Sequence, residues 1–373
     1  MSHRSPNLRM SLAAALAAIL ALALASVAFA TSGAHDTTTT VHRSLHAPGR
    51  YTVLVQIAPP KADETVDVSV AGQSQDGVPL TAGGGQSLVF FVHARTRRLV
   101  VRAVASGGPA ASLKVAVAPA SAATGRPTVG PYHNLAWSDE FGGAAGTAPN
   151  PSDWSLDTPG SGCGAGTLSQ ATSSTANASL DGHGDLAITA AANPAGSPAY
   201  TSAQLDSSGH YALTYGTIEA RIELPSGSGL CSAFWLLDDT PAGTSCPAGC
   251  PEIDVLEAVS PFANVGFGSL HGPVQISNDL QFQGTVTATK PLTGAFHTWG
   301  VIWQPGRITW TLDGLPYATI TPATLPPTAQ WVFDGAQMRI ILDLAVGGFW
   351  ALDPSSSAGF PASLKLAWVR VYK

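Results

Sequence analysis

Three carboxylates stand in one short run near the middle of this chain, at Glu252, Asp254 and Glu257. The residues between them are Ile, Val and Leu, types that favour β-strands. A charged side chain is costly to bury unless it is paired or used in chemistry. The run therefore predicts a strand that carries reactive acids.

The spacing of these acids determines which of them share a face. Strand side chains alternate between the two faces of a sheet, so Glu252 and Asp254 point the same way and Glu257 points the other way. One extra residue at Val255–Leu256, a β-bulge, returns Glu257 to the face of its partners, and bulges often re-aim side chains near active sites. We therefore expect a bulged strand with three carboxylates in a row.

Two glutamates that flank a glycosidic bond are the residues that glycoside hydrolysis requires. One carboxylate attacks the sugar, and a protonated one donates to the leaving oxygen. An acid between them raises the cost of ionising all three, which separates their pKa values and their roles. The alternative is an exposed edge strand with solvated acids, because short motifs also match by chance.

The composition of the chain restricts its partners. Charged residues make up 11% of 373 residues, and the formal net charge is −6. This balance gives no electrostatic reason to expect nucleic acid as a partner. A neutral polysaccharide fits better.

The first thirty residues, 1–30, have the pattern of a signal peptide. Arg4 and Arg9 make a basic start, Leu12 to Phe29 is apolar, and Ala28-Phe29-Ala30 offers a cleavage site with small residues. We expect a secreted, extracellular protein without a retained membrane anchor. The alternative is that this segment stays as an anchor.

The four cysteines agree with export, because disulfides persist outside the cytosol. Three pairings of Cys163, Cys231, Cys246 and Cys250 are possible. Cys246 and Cys250 can close a short loop, and Cys163 would then pair with Cys231. Metal ligation is disfavoured, since no two cysteines lie in a C-x-x-C spacing.

Strand patterns divide the chain into two parts. Residues 31–118 predict a small antiparallel β-sandwich of uncertain role, 119–131 a linker rich in Ala, Ser, Thr and Pro, and 132–373 a larger all-β domain. The predicted strands of the first domain are Tyr51–Ile57, Thr65–Val70, Ser87–Val92, Arg98–Val104 and Ser112–Val117.

All nine tryptophans lie at or after Trp137, in the second domain. Sugars offer flat C–H faces that pack on aromatic rings, so a Trp-rich sandwich suits a glycan cleft. Trp in a large sandwich is also common in the core, and strand patterns favour a core position for Trp137, Trp303, Trp310 and Trp368. The first domain lacks Trp, which favours a spacer, stability or partner-docking role over glycan binding.

The second domain resembles glycoside hydrolase family 16, in particular the laminarinase-like group with a bulged E-x-D-x-x-E strand. The resemblance runs from about Leu135 to Lys373. The segments that carry it, besides the acidic run, are Trp137-Ser138-Asp139-Glu140-Phe141, Asn177-Ala178-Ser179-Leu180-Asp181-Gly182, Tyr215-Gly216-Thr217-Ile218-Glu219-Ala220-Arg221, Ala233-Phe234-Trp235-Leu236-Leu237, Leu270-His271-Gly272-Pro273 and Leu344-Ala345-Val346-Gly347-Gly348.

The resemblance implies a fold and residue roles. The fold is an antiparallel β-sandwich jelly roll, concanavalin A-like, with the cleft on one sheet. Glu252 matches the nucleophile and Glu257 the general acid/base, with Asp254 between them. The substrate-binding residues that it implies are Trp235, His271 and Trp350. Paired carboxylates need no organic cofactor.

Several positions depart from the family pattern, and three of them concern a disulfide and a calcium site. Cys231 stands where members often have a cleft Trp, and an aromatic is common where Cys163 stands, which suggests that a disulfide replaces an aromatic contact. Ala367 stands where many members have an Asp that binds a structural calcium, while Glu140 remains as a ligand. Calcium needs six to eight oxygens, so we expect a weakened or absent site.

These observations converge on one function with two alternatives. We expect a secreted retaining endo-β-glycosidase, a monomer, that hydrolyses β-1,3-glucan by double displacement. One alternative is a family 16 enzyme with another β-glycan substrate or with transglycosylase activity. The other is a non-catalytic glycan-binding protein, which has no need of three crowded acids.

Overall fold

The computed structural model describes residues 36–81, 85–106, 109–120, 130–156, 166–239, 250–273, 280–355 and 359–373. These ranges form strands and turns, with short 3-10 turns at Ser260–Phe262 and Pro322–Thr324. The all-β class expected from the sequence is confirmed. Within the same ranges no helix has the length and apolar character needed to cross a membrane. The predicted signal peptide and most of the predicted linker lie outside the described residues.

The first part of the chain folds as a sandwich of two small sheets. One sheet has the order β1-β6-β3-β4, and the other contains β7-β2-β5. Alternating apolar residues of both sheets meet in one core, which includes Val53, Phe90 and Val101. The strands are β1 Thr37–Ser44, β2 Gly49–Ile57, β3 Glu64–Val70, β4 Gln73–Leu80, β5 Gln86–Ala94, β6 Arg98–Ser106 and β7 Leu113–Pro119.

The second part of the chain supplies the remaining strands of the structure. They are β8 Leu135–Asp139, β9 Ser155–Leu156, β10 Ser169–Ala171, β11 Ala178–Leu180, β12 Leu186–Ala192, β13 Tyr200–Ser202, β14 Gln204–Asp206, β15 Ala212–Leu213, β16 Gly216–Glu223, β17 Leu230–Asp238, β18 Glu252–Val259, β19 Val265–His271, β20 Leu280–Ala288, β21 Phe296–Gln304, β22 Arg307–Leu312, β23 Leu315–Ile320, β24 Met338–Val346 and β25 Ala362–Tyr372. Most pairings among them are antiparallel, which is the predicted arrangement.

Two large sheets enclose the main core. The front sheet has the order β20-β19-β18-β17-β24-β14-β9, and the back sheet has the order β10-β13-β12-β25-β16-β21-β22-β23. Trp303 and Trp310 are fully buried between the sheets, and Trp368 is 5% exposed, as the strand patterns predicted. Trp137 is only partly buried and stacks on Tyr211. Because β18 is flanked on both sides in the front sheet, its position is fixed by two ladders of hydrogen bonds.

The first domain continues the front sheet. Its strand β5 pairs with β20 in parallel, with Leu88 opposite Thr287 and Val89 opposite Ala288. The side chains of Leu54 and Val89 belong to the core of the second domain. The strand patterns in the sequence predict two sandwiches joined by a linker but not this edge pairing, because the pairing joins strands that are almost two hundred residues apart.

Side chains reinforce this junction between the domains. The Thr52 hydroxyl donates to Asp313 Oδ2 at 2.8 Å, and the same oxygen lies 3.0 Å from His297 Nδ1. The Gln56 amide donates to the Tyr317 carbonyl at 3.2 Å. The two domains are therefore held by buried contacts as well as by the chain that connects them.

Candidate active site

The strand β18 contains the predicted bulge. Asp254 pairs with Trp235 on β17, and Leu256 pairs with the adjacent Phe234, so Val255 is the extra residue on β18. The same irregularity separates Asp254 from Glu257 on the β19 side. An extra residue shifts the alternation of side chains by one. Glu257 therefore returns to the face of Glu252, and this prediction is confirmed.

Burial separates the two faces of β18. Ile253, Val255 and Leu256 are fully buried in the core between the sheets. The carboxylates lie on the opposite, outer face of the front sheet, where Glu252 keeps 27% of its side-chain surface and Asp254 only 5%. The outer face thus offers acids to a ligand, while the inner face anchors the strand.

His271 joins the acidic group from the neighbouring strand. It lies directly opposite Glu252 on β19. Its Nε2 is 3.2 Å from Asp254 Oδ2 and 4.0 Å from Glu252 Oε1. The histidine that the sequence predicted as a substrate-binding residue therefore lies within the acidic group.

The environment of Glu257 raises its pKa well above the usual range for Glu. Burial of its carboxyl is the largest cause, and the negative charge of Asp254 adds to it. The imidazole of His271 and a hydrogen bond from Ser269 act in the opposite direction without cancelling the rise. A shift in this direction favours the protonated carboxyl, which is the form that a general acid requires.

Two polar residues behind Glu257 were not predicted. The Ser269 hydroxyl donates to Glu257 Oε2 at 3.0 Å, and the Gln283 amide donates to the Ser269 hydroxyl at 3.4 Å. Ser269 stands two residues before His271 on the same strand, so alternation alone places both on one face. The shared face of Ser269 and His271 could be predicted from the sequence. The pairing of β19 with β18, which brings Ser269 to Glu257, could not.

Trp235 lies on the same outer face, opposite Asp254 on β17. It is partly exposed, and its indole N–H donates to Asp343 Oδ1 at 2.8 Å. Asp343 is 2% exposed, and burial raises its pKa to about 7, with a further rise from Asp254 and a decrease from the Trp235 hydrogen bond. The predicted cleft tryptophan is therefore oriented by a buried acid that sequence reasoning did not single out.

Trp350 takes a different position on this face. Its ring packs edge-on against Phe267, with 5.1 Å between the ring centroids, and Phe267 lies opposite Glu257. Both rings belong to a small apolar cluster with Cys231 and Val259, separate from the main core. Trp350 thus lies near the acids but packs into the sheet surface, and much of its ring is covered.

A tryptophan from the back sheet supports the bulge from the core side. The indole of Trp310 donates to the carbonyl of Asp254 at 2.7 Å. This contact needs Gly268, because a Cβ at that position would lie 2.3 Å from Trp310 Cδ1. The hydrogen bond satisfies a backbone carbonyl at the point where the bulge interrupts the ladder.

Both described cysteines, Cys231 and Cys250, are disulfide-bonded. Cys163 and Cys246 lie outside the described residues, so the pairing of Cys163 with Cys231 and of Cys246 with Cys250 stays a prediction.

The residues around Glu140 do not fit a calcium site. Both oxygens of Glu140 accept hydrogen bonds from the Arg370 guanidinium, at 2.8 and 2.7 Å. Ala367 contributes no side-chain oxygen, and a cation next to a bound guanidinium is repelled.

Among the described residues, the group close enough to ligate a metal is Glu252, Asp254 and His271, with ligand atoms within 4.8 Å of one another. These are the residues of the acidic group itself, and exposed acids often cluster without an ion.

Comparison with known proteins identifies the family. The model of glycosyl hydrolases family 16 matches residues 167–370, more than half of the chain. A β-glucanase of Rhodothermus marinus is 34% identical over 255 residues, which cover 65% of this chain and 86% of that protein. Glucan endo-1,3-beta-glucosidase A1 of Niallia circulans is 30% identical, and the match covers 64% of this chain and 38% of that protein.

Comparison with solved structures agrees with these sequence similarities. The endo-β-1,3-glucanase of Pyrococcus furiosus superposes with a TM-score of 0.57 at 31% identity, over 65% of this chain and 94% of that one. The matched family domain contains the bulged strand with all three acids and the histidine beside them. The chain therefore belongs to glycosyl hydrolases family 16 and is a glycoside hydrolase.

Proposed function

We propose that this protein is a secreted, retaining endo-β-glycosidase that hydrolyses β-1,3-glucan. One observation carries the proposal: the bulge brings Glu252 and a Glu257 with a raised pKa to the same face of the front sheet. The similar enzymes from Rhodothermus, Niallia and Pyrococcus support the substrate class, since they are named as β-glucanases or endo-1,3-glucanases.

In the first step, Glu252 is the nucleophile. Its carboxylate oxygen attacks the anomeric carbon, and the bond from that carbon to the glycosidic oxygen breaks. Glu257 gives its proton to the departing oxygen, so the leaving sugar departs as a neutral alcohol. The raised pKa of Glu257 favours the protonated form that this step requires.

In the second step, Glu257 acts as a base. It is now ionised and removes a proton from the incoming water, whose oxygen attacks the anomeric carbon and displaces Glu252. Two inversions give net retention of the β configuration. Glu257 regains its proton, and both residues return to their starting states.

Asp254 and His271 serve the nucleophile. Asp254 lies between the two glutamates in the strand and is nearly buried, and its charge raises the pKa of Glu257. The His271 Nε2 lies 3.2 Å from Asp254 Oδ2 and 4.0 Å from Glu252 Oε1. We propose that this pair fixes the orientation of the nucleophile and limits the cost of crowding three acids.

Trp235, His271 and Trp350 are the proposed substrate-binding residues, since all three lie on the outer face of the front sheet near the acids. A substrate panel tests the specificity: laminarin, mixed-linkage β-glucan, agarose, carrageenan and xyloglucan, with product masses recorded. Fastest release from laminarin supports the proposal. Selective cleavage of another polymer would replace the substrate, and products longer than the starting oligosaccharide would show transglycosylation.

Secretion and a monomeric state are part of the same proposal. The basic start, apolar stretch and Ala28-Phe29-Ala30 site of the first thirty residues support export and cleavage. The mass of the protein recovered from the culture medium tests this. Loss of about thirty residues and elution as a single copy agree with the proposal, whereas an intact chain in the membrane fraction contradicts it.

A further inference from the structure

The formal charge of the chain is divided unevenly between its two domains. Residues 36–119 carry eight Lys and Arg residues against five Asp and Glu residues, a net charge of +3. Residues 132–373 carry seven against nineteen, a net charge of −12. The first domain is therefore basic although the whole chain is acidic, and its basic side chains can attract an anionic partner.

Three of these basic side chains line one groove on the first domain. The groove has a volume of about 1090 Å³ and is lined by the β3–β4 turn at Ala71-Gly72 and by the β5–β6 loop. Arg95, Arg98 and Arg102 line it as well, and all three are exposed. Arg98 and Arg102 stand four residues apart on β6, so they point to the same face of the sheet. The groove thus presents three guanidinium groups to solvent.

The three guanidinium groups lack an acidic partner among the described residues. None of them forms a salt bridge there, and the described residues that line the groove include no Asp or Glu. Arg98 Nη2 donates to His42 Nδ1 at 3.2 Å. On the same face of the sheet, Asp67 Oδ1 accepts the amide of Gly77 at 2.6 Å, so this acid is engaged by β4. The positive charge of the groove is therefore available to an external anion.

Neutral hydrogen-bonding side chains complete the groove. Ser69, Gln73 and Thr96 line it together with His93. The described lining residues include no Phe, Tyr or Trp, so the groove does not offer the stacking surface on which neutral sugars pack. The guanidinium fork matches a carboxylate in a bidentate pair, and Ser, Thr and Gln side chains can pair with sugar hydroxyls. This combination suits a ligand that carries both carboxylates and hydroxyls.

The sheet that carries the groove stands on the acid-bearing side of the front sheet. Leu88 lies opposite Thr287 where β5 pairs with β20, and Leu88 belongs to the core of the first domain. Two residues before Thr287 on β20, Thr285 lies opposite Phe267, which lies opposite Glu257. Paired residues and alternate residues share a face of a sheet. The small sheet β1-β6-β3-β4 therefore packs on the same face that carries Glu257.

We propose that the groove lined by Arg95, Arg98 and Arg102 binds an anionic polysaccharide whose sugar units carry carboxylates, a polyuronate. The inference goes beyond the proposed function, because binding in this groove requires no bond cleavage. A protein held on an acidic glycan by its first domain keeps its cleft at a high local concentration of any glucan in the same matrix.

Titration of the full-length protein with polyuronates tests the groove. Polygalacturonate, alginate, fully methyl-esterified polygalacturonate and neutral dextran are compared by isothermal titration calorimetry at low and at high salt. We expect a polyuronate to bind, added salt to weaken the binding, and the ester and dextran not to bind. Arg95→Gln/Arg98→Gln/Arg102→Gln should weaken the binding at least about tenfold, because charge-assisted hydrogen bonds are lost. Since the three side chains are exposed, the unfolding temperature and kcat/KM on a soluble oligosaccharide should stay at the wild-type values.

Arg50→Gln/Lys61→Gln/Lys114→Gln is the matched control, because it removes the same charge from exposed positions of the first domain outside the groove. It should bind the polyuronate as the wild type does. Equal losses of affinity in the two triple variants, wild-type affinity in the groove variant, or equal binding of the ester would overturn the site. Binding of polyphosphate or duplex DNA without binding of either polyuronate would overturn the choice of ligand. A failure to cleave laminarin would contradict the proposed function and leave these binding results unaffected.

Discussion

At the scale of single residues, the three acids differ because their surroundings differ. Glu252 is partly exposed and faces His271, whereas the carboxyl of Glu257 is desolvated and hydrogen-bonded to Ser269. Burial and the nearby Asp254 raise the pKa of the Glu257 carboxyl. These surroundings suit two chemically identical side chains to the opposite roles that we propose for them.

Ser269 tunes the proton of Glu257. Its hydrogen bond favours the ionised carboxylate and so lowers the pKa. Ser269→Ala should raise that pKa further and move the alkaline limb of kcat/KM to higher pH by about one unit. Ser269→Thr keeps the hydroxyl and serves as the control. A limb that stays in place or moves to lower pH in the Ala variant contradicts this role.

Asp343 should make stability depend on pH. Its pKa is about 7 in the fold and near 3.9 in the unfolded chain, so the unfolded state loses its proton first and the fold loses stability as pH rises from about 4 to 7. Asp343→Asn keeps an oxygen for the Trp235 indole and removes the charge. We expect nearly equal stability near pH 4 and a variant more stable by on the order of 4 kcal/mol at pH 8.

Urea unfolding at both pH values measures this difference. The same pH dependence in the variant and in the wild type would show that Asp343 is not the titrating group.

At the scale of elements, the sequence predicts the bulged strand but not the residues that support it. Acids at Glu252, Asp254 and Glu257 among apolar neighbours predict both a strand and the extra residue that aligns them. The hydrogen bond from Trp310 to the Asp254 carbonyl depends on how the two sheets stack. Ser269 and Asp343 reach the site through strand register, which non-local pairing sets.

A substitution at Gly268 tests whether Trp310 supports the bulge. Gly268→Ala places a methyl group against Trp310, so the ring must shift and its hydrogen bond to Asp254 is weakened. We expect a loss of about 1–3 kcal/mol in stability together with a lower kcat. Gly142→Ala is the control, since a Cβ there meets nothing within 4 Å. Thermal unfolding and kcat are measured on both, and equal results for the two variants would contradict the packing argument.

At the scale of the whole molecule, the first domain is part of the sheet that carries the site. Strand β5 covers the edge of β20, and Leu54 and Val89 complete the core of the second domain. The composition of 119–131 indicated a linker but carried no information about this interface. Edge pairing between distant strands has no local sequence signal.

Removal of the first domain should therefore lower stability more than it lowers activity. A protein that starts at Gly130 exposes the edge of β20 and leaves Asp313 without its Thr52 partner. Its unfolding temperature should fall by several degrees, while kcat/KM on a soluble oligosaccharide changes less than about tenfold, because β18 lies two strands from that edge. An unchanged unfolding temperature would mean that the interface contributes nothing to stability.

In the full-length protein, Thr52→Ala should also lower the unfolding temperature. Thr40→Ala, at an exposed position, should not lower it.

The anomeric form of the first product shows whether Glu252 and Glu257 act as nucleophile and acid/base in a double displacement. Proton NMR is recorded during the first minutes of hydrolysis, before mutarotation mixes the anomers, with Glu252→Gln as the inactive control. Double displacement should release the β-anomer of the new reducing end first, with the α-anomer growing later. Initial release of the α-anomer would contradict it, because a single displacement by water inverts the configuration.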